Sequence, residues 1–392
     1  MTDHSTVLTF PDGFLWGAAT AAHQVEGNNL NTDWWVREHA PGTDLAEASG
    51  DAADSYHRYP EDIALLAELG FGSYRFSIEW ARIEPEEGVF SAAELLHYRA
   101  MVETCLAYGL EPVVTLHHFT HPRWFVDAGG WHSPRAVDLF TRYVEHALPV
   151  LGDDVRWVCT INEPNILSMT YRGTRGAELA AATLPAPDPQ VSEALVAAHR
   201  AARLVLAAET DAATGWSVAT QAFQPLPGYE DATREYRRAR EDLFLEAAVG
   251  DDYIGVQAYL RTFLGPHGPV PVPDDIERTQ TGWEFFPEAL GVGVRHAWDL
   301  TQGTPVLVTE NGIATDDDDR RIAYTIGALA GLRAAMDDGV DVRGYLHWSA
   351  LDNYEWGSYA PGSGWSGGTR RRSSARRSRA VGGSARSRGP AG

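Results

Sequence analysis

Glu163 and Glu310 are the residues in this 392-residue chain whose surroundings most suggest chemistry. Each closes an apolar, β-branched run: Trp157-Val158-Cys159-Thr160-Ile161-Asn162-Glu163-Pro164 and Val306-Leu307-Val308-Thr309-Glu310-Asn311-Gly312. Runs of this kind read as buried strands. A carboxylate at the end of one puts charge where the chain leaves the sheet, which is a poor way to build a core and a good way to build an active site. Two such carboxylates, opposed at the mouth of a parallel barrel, are the minimum equipment for hydrolysing a glycosidic bond. A single glutamate at a strand end is as readily a surface ion-pair partner. Two in matched contexts, with Asn162 beside one of them, argue against that reading.

The elements that must position them follow from the hydrophobic pattern. Strand-like runs at 14–18, 74–78, 112–116, 157–161, 215–220, 253–256, 306–309 and 344–348 alternate with helix-like segments such as Glu61–Gly70, where Gly70 is the stop, and Ser192–Ala208. Eight strands with intervening helices predict a single-domain α/β chain, a (β/α)8 TIM barrel, rather than an open doubly wound sheet. No glycine-rich dinucleotide loop follows the first strand and no phosphate-binding Gly-Lys-Ser/Thr loop exists, so nucleotide cofactors gain no support.

In a barrel the chemistry gathers at the C-terminal ends of the strands. Strand one leads to His23-Gln24-Val25-Glu26, strand two holds Arg75 and ends at Glu79-Trp80, and strand three ends at His117-His118-Phe119. Strand four ends at Asn162-Glu163, strand six at Gln257-Ala258-Tyr259, strand seven at Glu310 and strand eight at Trp348. Amide, imidazole, carboxylate and indole groups on one rim suit a sugar, whose hydroxyls take hydrogen bonds while its C–H face stacks on an aromatic ring. His117, His118 and His121 do not form a metal site on this reading, because neighbouring strand residues point to opposite faces. The run Asp316 to Asp319 is expected to be a solvated loop without calcium-loop spacing. Trp124, Trp131 and Trp283 are candidates for either an aglycone channel or packing.

Composition limits the other classes. The net charge is −22, and the stretch Thr369 to Gly392 carries eight arginines and no acid, so the body before it stands at −30 and repels nucleic acid and anionic membranes. There is no lysine at all, which points to a GC-rich source. No apolar run spans a membrane and Met1-Thr2-Asp3-His4 lacks the order of an export leader, so a cytoplasmic location is expected. Cys105 and Cys159 lie in apolar segments and read as buried inert thiols; no cofactor and no metal are expected.

From Phe10-Pro11-Asp12-Gly13-Phe14-Leu15-Trp16-Gly17 to about Tyr359 the chain resembles the family 1 glycoside hydrolases, retaining β-glucosidases and β-galactosidases. The resemblance implies that Glu163, in Asn-Glu-Pro, is the acid/base and Glu310, in Thr-Glu-Asn-Gly, the nucleophile. It implies Gln24, His118 and Asn162 as glycone-binding groups, Trp348, Glu355 and Trp356 as the sugar platform after strand eight, and Arg75 and Tyr259 as the pair flanking the nucleophile. The family's Asn-Tyr-Tyr after strand six is here Gln257-Ala258-Tyr259. The implied substrate is a small β-glycoside, a β-glucoside before a β-galactoside or β-fucoside. A phospho-β-glycosidase is a weaker alternative because Glu355 repels a 6-phosphate, and a catalytically impaired sugar-binding pseudoenzyme is a third.

Charge requirements set two further expectations. Glu310 must be ionised to attack, with Arg75 as counter-charge holding its pKa low. Glu163 must be protonated to donate, its pKa raised by burial and by the charge of Glu310. When glycosylation removes that charge, Glu163 becomes the base that activates water.

The chain divides into a barrel at 1–361 and an Arg/Ser/Gly-rich tail at 362–392, expected to be disordered and to lack the normal final helix. Gly362-Ser363-Gly364-Trp365-Ser366 can be written GGT TCG GGC TGG TCG; one base out of step, the letters give Phe-Gly-Leu-Val, the family's continuation. The tail therefore reads as the product of a frameshift after Pro361 rather than as a nucleic-acid arm.

Overall fold

A computed structural model describes residues 8–171 and 185–364, with two further two-residue strands, Ser366–Gly367 and Arg376–Arg377. The strands are β1 (Leu15–Ala19), β2 (Ser73–Ser77), β3 (Glu111–Thr115), β4 (Trp157–Asn162), β5 (Ala213–Pro225), β6 (Ile254–Gly265), β7 (Gly268–Val270), β8 (Val306–Asn311) and β9 (Val342–Trp348). Eight of them form a closed parallel barrel in the order β5-β4-β3-β2-β1-β9-β8-β6, completed by the β5–β6 pairing. The short β7 is an antiparallel hairpin partner on the extended end of β6. Each of the eight runs read from the sequence lies on one of the barrel strands; β5 and β6 project well beyond the predicted ends.

Two layers of core explain why the sequence folds this way. Inside the barrel, Ala19 of β1, Val113 of β3, Leu307 of β8, and Leu346 and Trp348 of β9 meet Tyr253, which precedes β6, in one cluster. Outside, the other faces of the same strands pack against helices through residues such as Phe76, Val114, Val158, Val218, Val256 and Val308. Strands covered on both faces must be apolar on both, hence the continuous runs. The helix Ser55–Glu68 ends before Gly70, which takes φ +87°, a conformation that a side chain disfavours. The helix Pro189–Glu209 starts at Asp188, whose carboxylate accepts from the backbone N–H groups of Gln190 and Val191.

Two expectations are corrected here and one open choice is decided. Asp316 to Asp319 is not a free loop: Asp317 caps the helix Asp318–Asp337, and Asp318 and Asp319 occupy its first turn, where carboxylates complement the helix dipole. Trp131 is fully buried against His117, Phe125 and Phe140, and the Trp124 indole N–H donates to the Glu84 carbonyl, so both are packing residues. The first three residues assigned to the tail are laid onto the barrel rim. Gly362 bridges Thr315 and Gln280, the Ser363 carbonyl accepts from Ser349 N–H, and Gly364 N–H donates to the Asp352 carboxylate. Apart from the two short strands, the rest of the tail lies outside the described residues, and so does the expectation that it is disordered.

Among the described residues no helix follows β9. On the outer face of β1 and β9, Phe10, Phe14 and Trp16 pack on one another at 4.8–4.9 Å between ring centroids, Trp16 touches Tyr345, and Trp16 remains 36% exposed.

Candidate active site

The strand ends do not run in even register. Between β4 and β5, Cys159 pairs with Gly215 but Asn162 with Ser217, so β4 gains a residue. Between β6 and β8, Val256 pairs with Val308 but Gln257 with Glu310, so β8 gains one too. Such bulges re-aim the side chains that follow them. They turn Asn162 and Glu310 to the lumen just where the plain alternation of a strand gives no such guarantee. Glu163 leaves β4 with φ +43°, a left-handed conformation that costs a non-glycine residue energy. Asn165 holds it there: its amide donates to the carbonyls of Ala219 and Arg240, and its oxygen accepts from Ala219 N–H. Sequence reasoning missed Asn165, because an asparagine after Glu-Pro carries no signal until its partners on β5 are known.

Glu163 and Glu310 face one cavity of about 910 Å³, walled also by Gln24, His118, Tyr259, Trp348, Glu355 and Trp356. Arg75 and Asn162, both fully buried, form the floor behind that wall. Arg75 Nη1 donates to Glu310 Oε1 at 2.6 Å, its Nη2 donates to Asn162 Oδ1 at 2.5 Å, and its Nε is held by Thr115. The Tyr259 hydroxyl donates to the other oxygen of Glu310 at 2.8 Å. Every residue predicted for the site thus converges on one place.

The electrostatics correct one expectation. Removal from water pushes Glu310 above the usual carboxylate range, and Arg75 and Tyr259 hold it back without reversing the shift. Glu163 goes up further, well above that range, first through burial and then through the charge of Glu310, with Arg75 too weak an opponent and Glu355 adding to the rise. The Glu310 carboxylate has an arginine and a phenol donating to it, while the Glu163 carboxyl accepts from no described residue, so of the two Glu163 keeps a proton more readily. Glu355 is raised to about 7 by burial and by Glu310, and hydrogen bonds from Trp348 and Gln24 oppose this.

The remaining groups are oriented for polyol recognition. Gln24 Nε2 is engaged with Asn353 Oδ1 and the Tyr354 carbonyl, both at 2.9 Å, which leaves Gln24 Oε1 as an acceptor without a donor among the described residues. The His118 imidazole is neutral, its pKa driven well down by burial and by Arg75. It lies nearly parallel to Trp348 and Trp356, with centroids 6.0 and 6.3 Å away. Of the three tryptophans considered for an aglycone channel, Trp283 reaches the cavity and contacts Tyr259. His117 is buried behind the wall, while His121 sits at the cavity edge between the Asp33 carboxylate and the Trp131 indole N–H. Among the described residues one group has metal-ligand spacing, Glu241, Asp242 and His296; none of the three lines the cavity, and the group is already internally paired, His296 Nε2 to Asp242 Oδ1 at 2.8 Å.

A closed (β/α)8 barrel presenting opposed carboxylates, one of them clamped by an arginine and a tyrosine, in a polar and aromatic cavity defines a glycoside hydrolase. The match to the glycosyl hydrolase family 1 model covers residues 6–261 and 267–361, and the chain belongs to that family. It is 32% identical to thermostable β-glucosidase B of Thermobispora bispora, over 91% of this chain and 85% of that one. It is 31% identical to β-glucosidase A of Acetivibrio thermocellus, over 89% and 91%. Among solved structures, the β-glycosidase BGL167 matches with a TM-score of 0.88 at 44% identity, covering 95% of both chains. The Thermotoga maritima β-glucosidase in complex with deoxynojirimycin matches with a TM-score of 0.85 at 28% identity, over 96% and 97%. The protein is a glycoside hydrolase of family 1, and the relatives named here are β-glucosidases and β-glycosidases. No helix among the described residues is long and apolar enough to cross a membrane.

Proposed function

We propose that the enzyme releases terminal β-D-glucosyl residues by double displacement, with Glu310 as nucleophile and Glu163 as acid/base. The observation that carries this division of labour is the clamp on Glu310: Arg75 and Tyr259 both donate to it, and the Glu163 carboxyl has no such donors among the described residues. The ionised, oriented carboxylate attacks the anomeric carbon, and the protonated one delivers its proton to the leaving oxygen. Esterification removes the charge of Glu310. The pKa of Glu163 then falls, and the residue accepts a proton from the water that releases the sugar.

Gln24, His118 and Glu355 bind the glycone hydroxyls on this reading, Asn162 holds the 2-hydroxyl, and Trp348 and Trp356 supply the ring platform. Glu355 on the wall argues against a phosphorylated glycone, because a carboxyl there is a poorer partner for a phosphate group than a cationic side chain. A 2-deoxy-2-fluoroglucoside with a good leaving group tests the assignment: the label should be found on Glu310, and Glu310→Gln should fold and not turn over. A label on another carboxylate overturns it.

We further propose that the stretch after Pro361 is read out of frame. An ideal Cβ on Gly364 would stand 2.1 Å from the Asp352 nitrogen, so the rim demands glycine there, and with the codons written above one base inserted after Pro361 keeps glycine at that position while putting Phe in place of Ser363. A cytoplasmic location is part of the proposal, supported by Cys105 and Cys159, which are both free and buried.

A further inference from the structure

Gln257 is a buried amide in the barrel floor that neither the carboxylate chemistry nor the cavity wall uses. It is fully buried, and it stands beside Glu310 across the β6–β8 ladder. Its Nε2 lies 2.8 Å from Asn162 Oδ1, the same oxygen that Arg75 Nη2 approaches to 2.5 Å. An arginine can only donate, so this Asn162 atom must be the oxygen, and the Gln257 atom that meets it must be the nitrogen. Two consequences follow. Asn162 Nδ2 is turned the other way, 3.2 Å from His118 Nε2, which has to accept and so leaves the imidazole proton on Nδ1. Gln257 Oε1 is turned to a place where it accepts from no described residue.

A buried amide oxygen without a donor costs stability, and an apolar side chain of the same length would avoid the cost. A group kept against its own stability is what a functional requirement leaves behind. We infer that Gln257 is a positioning residue: it locks the Asn162 amide so that the N–H edge of Asn162 meets the 2-hydroxyl of the sugar. The inference rests on the assignment of Asn162 to that hydroxyl. Arg75 alone is an uneven lock, because it also serves Glu310, whose charge vanishes in the glycosyl-enzyme. Gln257 is a neutral donor whose hold on Asn162 does not depend on that charge.

The test compares 4-nitrophenyl β-D-glucoside with its 2-deoxy counterpart. Gln257→Met keeps the length of the side chain and removes both polar atoms. The expected result is a fall of about tenfold or more in kcat/KM for the glucoside, with the 2-deoxy substrate changing by less than about threefold and the melting temperature unchanged or higher. Added to Asn162→Ala, the same substitution should cost the glucoside nothing further, as residues acting through one another behave in a double-mutant cycle. Equal losses on both substrates, or a further loss in the Asn162→Ala background, overturn the inference. Asn162→Ala alone reads the underlying assignment; if it does not discriminate between the substrates, the 2-hydroxyl contact falls and the inference with it. Should Gln257→Met fail to give folded protein by circular dichroism, Gln257→Leu makes the same comparison.

Discussion

Arg75 on β2 and Glu310 on β8 reach each other across the barrel lumen, Nη1 to Oε1 at 2.6 Å, with the arginine wholly cut off from water. The two strands are not neighbours, so the pair exists only once the barrel has closed. Breaking a buried pair leaves an uncompensated charge, a loss of about 3–5 kcal/mol unless the survivor can be neutralised. Glu310 can be neutralised, by taking a proton.

Replacing Arg75 should therefore act on the pH profile as well as on the rate. Arg75 lowers the pKa of Glu310 against the pull of burial. Without it that pKa rises, the nucleophile is protonated over more of the acidic range, and the acid limb of kcat/KM moves to higher pH. Arg75→Met should show that displacement together with a loss of about 10²-fold or more at the optimum. An unmoved acid limb would mean that Arg75 serves packing alone.

Glu163 governs the other limb. Its pKa is raised, so the acid form persists above the usual carboxylate range and the alkaline fall in kcat/KM marks its ionisation. Glu163→Ala should abolish that limb, slow poor leaving groups far more than activated aryl glucosides, and allow azide to restore turnover as a β-glucosyl azide. If good and poor leaving groups suffer alike, Glu163 is not the acid.

Much of this was legible in the sequence because barrel strands bury both faces and announce their ends with polar residues. The runs closing on Asn162-Glu163 and on Glu310 marked two strand ends, and motif likeness supplied Gln24, His118 and Tyr259. What stayed hidden depends on register. The bulges that re-aim Asn162 and Glu310, the contact from Gln257 to Asn162, and the clamp of Asn165 on β5 all arise from how strands align after closure, and no local pattern encodes that. The net rise of Glu310 was missed for a related reason: Arg75 is visible as a counter-charge, but the depth of burial that outweighs it is a property of the closed barrel.

Glu241 offers a prediction on stability. It is buried, one oxygen accepts from Gln221 N–H, and its pKa is pushed up to about 8 by loss of water. A folded-state pKa above the unfolded value means that the folded chain keeps a proton which the unfolded chain releases at about 4.3. Its contribution is thus complete below that pH and is lost as the pH rises through about 8. Glu241→Gln removes the titration, so its urea midpoint should fall less between pH 6 and pH 9 than that of the unsubstituted protein. Identical slopes would show that the folded protein does not raise this pKa.

The outer face of β1 and β9 predicts the behaviour of the chain as written. Phe10, Phe14 and Trp16 form an aromatic cluster there, Trp16 is 36% exposed, and no described helix after β9 covers it. Restoring the out-of-step reading after Pro361 replaces an Arg/Ser/Gly string by text that runs Phe-Gly-Leu-Val from position 363 and so keeps the glycine that the Asp352 backbone requires at position 364. Covering apolar surface is worth about 25 cal/mol per Å², so a packed helix on this face contributes several kcal/mol. That is comparable with the roughly 5–15 kcal/mol by which a domain is stable at all. The 392-residue form should accordingly aggregate on mild heating and turn over weakly, and the repaired form should gain in both melting temperature and kcat. Sequencing the DNA around codon 361 and comparing the two purified proteins decides it: if the 392-residue chain is monodisperse, fully active and no less stable than the repaired one, the tail belongs to the protein and the frameshift reading is wrong.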